Sequence, residues 1–341
     1  MTNDASNDAA PTLIIGAGLA GLVAARRLSE SGRRVIVVDK GRSVGGRLAT
    51  RRLGSGVLDH GAQFFTTRSP EFTAAVAEWT EAGVTSEWCR GFGVEDGYPR
   101  YRTNGGMNQL AKHLAASLDS ELVTIVTRVR AQALLQMDDA WGVSYESGAR
   151  DVDEVGSVIA TPPVPQTIDL LTDGAARLDN GVTLDDLRAI TYHQVIALLT
   201  KVVGRPDFGP SGALQQPDDP TFSFIADNQA KGISPERTVT FHTAHALSAE
   251  LFDRRDAAIA DILVPQARAV LADADPEARI VEYQVKKWRY AGPVVPRSER
   301  SLTIARTPGP LVLAGDAFGG SKVEGAFLSG LSAAETILAA G

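Results

Sequence analysis

The chain has 341 residues, 44% apolar and 22% charged, enough to bury a large core, and its length suggests two folding units. A formal net charge of -7 argues against a broad phosphate-backbone footprint, so nucleic acid is not an expected partner. The single cysteine, Cys89, excludes an internal disulfide and a cysteine-rich metal site, and no metal is expected.

The first ten residues, MTNDASNDAA, are polar and lack the apolar core of an export signal. They read as a disordered tail on a cytoplasmic protein. No run reaches the roughly 18 uninterrupted apolar residues of a membrane helix, so no membrane partner is expected. Thr12–Ile15 is a short apolar strand, followed by glycines and then by Leu19, Leu22, Val23 and Leu28 at helical spacing; Ser31-Gly32 stops that helix, and Val35–Val38 is a second buried strand. The spacing predicts a helix over Ser69–Trp88, with Phe72, Val76 and Trp79 on one face, and another over Gly105–Leu118. Between Leu122 and Ile159, β-rich runs at Leu122–Val126, Trp141–Tyr145 and Val155–Ala160 suggest an antiparallel meander, with a stiff exit at Thr161–Pro165. Strands follow at Val195–Val203, Thr238–Thr243 and Ile280–Trp288, with a helical pattern over Ala257–Ala272 that Pro265 should kink or divide. Pro310–Ala314 is a last apolar strand, broken at Gly315, and a final helix runs from about Gly325 to Ala340.

Gly16-Ala-Gly18-Leu19-Ala20-Gly21 sits between the first strand and the first helix. Gly16 permits the tight turn, Gly18 admits a pyrophosphate to the backbone, and Gly21 lets helix and strand pack closely, while the helix N-terminus presents N–H groups and a positive dipole end. Asp39 closes the second strand, where a carboxylate accepts ribose hydroxyls. An acid there suits FAD or NAD and repels a 2′-phosphate; this βαβ unit by itself leaves both cofactors open.

Gly45-Gly46-Arg47, after Asp39-Lys40, resembles the extension of the amine-oxidase-like FAD proteins, in which Arg47 would offer its fork of donors to phosphate oxygens. Asp59–Phe65 resembles the stretch passing the isoalloxazine ring, which Ala62 and Gln63 would reach. Asn104-Gly-Gly-Met107 resembles the Gly-Gly-Met helix start of that family, and Ala160-Thr161-Pro162 its exit from the FAD domain. At the C-terminal end the resemblance implies that Asp316, after Gly315, accepts a ribityl hydroxyl, and that the helix opening at Glu324, Gly325 and Ala326 faces N1 and O2 of the flavin. It also places Lys40, Val129 and Thr161 at the cofactor. FAD is expected to be noncovalent, because Cys89 is far from the C-terminal region where covalent members attach it.

Gly45–Arg52, Leu58–Thr66, Trp288-Arg-Tyr-Ala291 and Val323–Gly330 are similar to the bacterial renalase-like proteins within the FAD-dependent amine oxidase superfamily. The resemblance implies an α/β chain, α+β overall: a Rossmann-like FAD-binding domain of the amine oxidase type (11–68, 103–165 and 300–341) with an inserted mixed-sheet substrate domain (69–102 and 166–299), residues 1–10 being the tail. It implies an oxidase of 2- or 6-dihydronicotinamide dinucleotides, returning NAD(P)+ and passing electrons to O2 as hydrogen peroxide. A dihydropyridine expels hydride unaided, so no catalytic acid, base or nucleophile is required. The pocket candidates are Gln63 and Phe64 beside the flavin, Trp288 and Tyr290 as an aromatic wall, and His242 or His245 for the carboxamide; Lys286, Lys287 and Arg289 are candidates for the substrate's phosphates. The lysine that many amine oxidases place beside flavin N5 has no local signature, with Lys201 and Lys231 both open. Oxidation of an amine, dehydrogenation of a carbon skeleton and a non-enzymatic flavin-bound sensor remain alternatives, and oligomeric state is not indicated.

Overall fold

The computed structural model describes residues 10–146 and 153–340, so the expected tail lies outside it except for Ala10. The chain opens with β1 (Thr12–Ile15), α1 (Leu19–Ser29) and β2 (Val35–Asp39). A hairpin of β3 (Thr50–Leu53) and β4 (Gly56–Asp59) leads to α2 (Pro70–Glu81), a second hairpin of β5 (Thr85–Phe92) and β6 (Val94–Thr103), and α3 (Asn108–Ala116). Next come β7 (Val123–Thr127), β8 (Ala131–Gln136), β9 (Trp141–Tyr145), β10 (Asp153–Val155), β11 (Ser157–Ala160), α4 (Val164–Asp173) and α5 (Leu184–Arg188). The last part holds β12 (Tyr192–Val203), β13 (Ala213–Gln215), β14 (Phe222–Asp227), β15 (Thr238–Thr243), α6 (His245–Leu251), α7 (Asp256–Ala274), β16 (Arg279–Pro293), β17 (Leu302–Ala305), β18 (Leu311–Leu313) and α8 (Val323–Ala340).

Two compact units result. The first takes the chain up to Gly46, Ala111–Thr191 and the stretch from Pro293 onward. Its six-stranded sheet has the order β17-β18-β11-β1-β2-β7, parallel except for the edge strand β17. All of β1 is buried, as the apolar run predicts for a strand covered on both faces. Helix α8 packs on α1 so closely that a Cβ on Gly330 would lie 2.3 Å from the Ala20 carbonyl oxygen. By length and composition α8 could cross a membrane. Here Phe327, Leu328, Ala333, Ala334 and Ile337 are buried in the unit.

The second unit takes Arg47–Leu110 and Tyr192–Gly292. A five-stranded sheet of order β13-β14-β15-β12-β16 packs through Ile196, Leu198, Ile225 and Phe241 against the stripe Ile259, Leu263, Ala267 and Leu271 of α7. That stripe carries α7 through Pro265 as one element, so of the expected kink or division the division does not occur.

Two further expectations are corrected. The helix after Ser69 stops at Glu81 because Gly83, at φ 71°, turns the chain and lets Val84 N–H bond back to Trp79, so Trp88 falls on β5. The antiparallel meander is confined to β8, β9 and β10, since β7 pairs parallel with β2 and β11 parallel with β1. A short apolar strand carries no local mark of its partner or direction.

Substitution of Gly330 by Ala should destabilise the protein by about 1–3 kcal/mol through overpacking against α1. Calorimetry would show a lowered Tm; an unchanged Tm would mean that this helix contact yields freely.

Candidate active site

In the first unit the glycine-rich turn is held by its neighbours. Gly16 has φ 103°, and a Cβ there would sit 2.3 Å from Thr161 Oγ1. That hydroxyl donates to the Ile15 and Gly16 carbonyls, at 2.8 and 3.2 Å. A Cβ on Gly21 would meet the Gly16 carbonyl oxygen at 2.0 Å. Gly18 caps α1 without a side-chain bond, and the space where its Cβ would stand is empty to 4 Å. The buried Leu19 and Ala20 begin the helix. The Asp39 carboxylate accepts from Ala17 N–H at 2.7 Å and Gly41 N–H at 2.6 Å, leaving lone pairs on both oxygens. Gly46 passes against Gly18, and Gly45 N–H donates to the Ala17 carbonyl at 2.8 Å. Val129, buried just after β7, donates its N–H to the Asp39 carbonyl at 3.0 Å. Lys40 Nζ reaches Gln166 Oε1 at 3.0 Å.

At the other end of the same unit Gly315, at φ 129°, donates its N–H to Ser329 Oγ, and Asp316 is buried beside it. A Cβ on Gly325 would lie 1.9 Å from the Gly320 carbonyl oxygen, so the entry to α8, with Glu324 and Ala326, requires glycine there. Open backbone N–H groups at one helix start, a carboxylate at the end of β2 and glycines where the chain must stay thin form a donor set that fits a dinucleotide.

The second unit carries the other candidates. Ala62 N–H donates to the Arg47 carbonyl at 3.0 Å, and Arg47 Nη1 donates to the Tyr290 carbonyl at 3.2 Å. Gln63 is buried; its Nε2 donates to the Asp59 and Gly61 carbonyls and lies 3.4 Å from His242 Nε2, while its Oε1 has no partner among the described residues. Trp288 stacks on His60 at 5.2 Å between ring centroids and donates its Nε1–H to the His60 carbonyl at 2.7 Å. His60 Nδ1 is likewise buried without a partner among the described residues. Burial, with Lys286 and Arg51 adding repulsion, pushes His60 down to about 4; burial and then His60 bring His242 to about 4. Both imidazoles are therefore neutral at neutral pH.

The remaining candidates stand apart from that cluster. Phe64 lies in an apolar nest, 5.0 Å from Phe92 and 6.0 Å from Phe224 between centroids. Tyr290 meets Tyr192 edge-on, and exposed His245 stacks on His193 at 4.1 Å; Gln194 and Arg289 complete this open cavity of about 330 Å³. Arg289 lies over Phe252 and faces Asp253, while Lys287 donates to the Phe252 and Arg254 carbonyls. Those cations are engaged by their own unit.

Sequence reasoning assigned no role to the His60 and Asp59 side chains and left Lys231 open, beside Lys201, as the lysine near flavin N5. Lys231 is fully buried, and its Nζ donates to Asp59 Oδ2 at 2.8 Å and the Gln63 carbonyl at 2.6 Å. Burial lowers the Lys231 pKa, and Asp59 opposes that shift. Lys201 pairs instead with Glu236 near the surface. His60 and Asp59 lie within the Asp59–Phe65 motif, but nothing local marks which side chain of such a run points inward.

Lowered histidine pKa values carry a sign. Where the folded value is about 4 and the unfolded value 6.5, stability is complete above pH 6.5 and falls as pH drops toward 4, because only the unfolded chain takes up the protons. Urea unfolding across that window should lose this dependence in the His60→Gln/His242→Gln double variant. An unchanged slope would refute the assignment.

A family model for NAD(P)-binding Rossmann-like domains matches residues 14–79, and one for flavin containing amine oxidoreductases matches residues 70–338. Among solved structures, a protein from Exiguobacterium sp. 255-15 assigned as a protoporphyrinogen oxidase aligns with TM-score 0.72 at 12% identity, over 96% of this chain and 98% of that one. Putrescine oxidase bound to putrescine aligns with TM-score 0.71 at 16% identity, over 97% and 99%. An oxidoreductase from Methanosarcina mazei gives TM-score 0.64 at 14% identity, over 95% and 100%. At these identities the likeness is one of fold. The match over residues 70–338, together with the Rossmann-like unit before it, shows that this chain belongs to the flavin containing amine oxidoreductase family and is an FAD-dependent oxidoreductase.

Proposed function

We propose that the enzyme oxidises 2- or 6-dihydronicotinamide dinucleotides to NAD(P)+, with O2 as the electron acceptor, as a renalase-like member of its family. Bound flavin supplies the hydride acceptor at N5 and returns the electrons to O2. Gly16, Gly18, Leu19, Ala20, Gly21, Asp39, Lys40, Gly46, Val129, Thr161, Gly315, Asp316, Glu324, Gly325 and Ala326 of the first unit would hold it. Asp39 would take the ribose hydroxyls on the lone pairs left by Ala17 and Gly41 N–H. The start of α1 would meet the pyrophosphate with its uncapped N–H groups.

The observation that carries the substrate reading is the polar but uncharged character of the Gln63–His242–His60–Trp288 cluster. A dihydropyridine already holds the electrons it gives up and needs no base. What it needs is a flat apolar surface and hydrogen-bonding groups that orient its carboxamide. Trp288 offers the surface, and the neutral imidazoles of His60 and His242 each offer one donor and one acceptor. An amine arrives protonated at neutral pH and must lose a proton before oxidation; a neutral imidazole with a pKa near 4 is a weak base for that task.

Anaerobic mixing with 2- or 6-dihydro-NAD should bleach the flavin's visible band within a single turnover, and putrescine should leave it unchanged. Bleaching by putrescine alone would replace this reading with amine oxidation. Trp288→Ala should retain FAD and slow the bleaching by about tenfold or more, consistent with loss of ring positioning. Equal rates would remove Trp288 from the substrate surface.

A further inference from the structure

Lys231 lies outside every recognisable motif, in the turn between β14 and β15, yet it is buried to 1% exposure. An ammonium has three N–H bonds. Two of them meet Asp59 Oδ2 and the Gln63 carbonyl, and the ring of Trp88, with its centroid 4.9 Å from Nζ, receives the cation on its face. The protein itself therefore occupies this cation. Asp59 is as fully committed: Oδ1 accepts from Thr50 Oγ1 and Met107 N–H, both at 2.7 Å, and its carbonyl accepts from Thr240 Oγ1 at 2.9 Å and Gln63 Nε2 at 2.8 Å.

One ammonium thus grips both ends of the short turn from Asp59 to Gln63, the carboxylate at its start and the carbonyl at its end. Within the turn the Gln63 amide has a single permitted orientation. Reversing it would set Oε1 against the Asp59 and Gly61 carbonyl oxygens, which now accept from Nε2. Oε1 is left as a buried acceptor with no donor among the described residues. Such an atom is unfavourable in a folded protein unless a ligand supplies the missing N–H. A buried ion pair in turn adds little stability over an apolar pair of the same volume, so its value here is geometric.

We propose that Lys231 is a positioning residue that, through Asp59 and the Gln63 carbonyl, presents Gln63 Oε1 as a fixed acceptor for an amide-type N–H on a planar ring. Two ring systems carry that group: the flavin, through its imide N–H, and the nicotinamide of the proposed substrate, through its carboxamide. The second source rests on the function proposed above; the first does not.

Removing Lys231 alone would strand the Asp59 charge and could unfold the protein, so the test uses the uncharged pair Asp59→Asn/Lys231→Met beside Gln63→Met, which keeps the ion pair and removes the acceptor. The full-length proteins are compared for FAD dissociation constant, for the visible spectrum of bound flavin and for the flavin difference spectrum on titration with nicotinamide. If flavin supplies the N–H, both variants weaken FAD by about tenfold, the loss of one buried hydrogen bond, and shift the visible band. If the carboxamide supplies it, FAD binding is unchanged and nicotinamide weakens by about tenfold. The proposal is overturned if Gln63→Met alters neither ligand, or if Gln63→Met alters one while a folded Asp59→Asn/Lys231→Met protein binds it as the wild type does. The flavin arm needs no substrate, so failure of the dihydronicotinamide reading would leave its result intact.

Discussion

The second unit is organised around a carboxylate that has no water to turn to. Asp59 is fully buried, and an ionised group in that position survives only if its lone pairs are met by donors held in place. Those donors come from three separate stretches of sequence, Thr50 on β3, Met107 at the entry to α3 and Lys231 in the turn after β14, while Thr240 on β15 donates to the Asp59 backbone carbonyl. Satisfying one residue therefore fixes the relative placement of a hairpin, a helix start, a turn and a sheet. The need for close approach explains the Gly-Gly-Met run as well. A Cβ on Gly106 would fall 2.5 Å from Thr50 Cγ2 and 3.1 Å from Asp59 Oδ1, so the helix can begin at that depth only with glycine.

The first unit applies the same economy to backbone. Its glycines sit where a side chain would strike the main chain or the pinning hydroxyl of Thr161, and Asp39 organises the turn by accepting N–H groups from both sides. The turn is thereby shaped by the chain's own contacts, which lowers the ordering cost of binding. In the second unit the polar atoms of Gln63 and His60 that have no partner among the described residues are the complement of this arrangement: defined donors and acceptors with little net charge.

The cluster of Gln63, His60, His242 and Trp288 is polar and carries little charge. Histidines displaced to a pKa near 4 are not proton shuttles at neutral pH; they serve as rigid hydrogen-bonding groups. Of the cations on β16 whose placement in sequence suggests phosphate recognition, Lys287 and Arg289 are turned toward Phe252, Arg254 and Asp253, while Lys286 repels a proton on His60.

The amino-acid sequence by itself determined the β–α–β opening, with the glycine turn from Gly16 to Gly21 and Asp39 at the end of its second strand, because a tight turn, a close backbone approach and a helix N-terminus are properties of neighbouring residues; spacing left FAD and NAD both open, and the family motifs chose FAD. It determined the final strand and helix for the same reason. It did not determine that β7 and β11 belong with β1 and β2 while β8–β10 form their own sheet, since pairing partners are chosen across long separations by the burial of whole faces. Nor did it decide between Lys201 and Lys231, because Lys231 meets Asp59 across 172 positions and its immediate neighbours read as an ordinary turn. Candidates from one motif were likewise separated by the fold: Gln63 joined His242, while Phe64 turned into an apolar nest, because successive residues point to opposite sides of an extended chain. Tertiary structure alone decides which side faces a ligand, since that depends on what the rest of the unit has already buried.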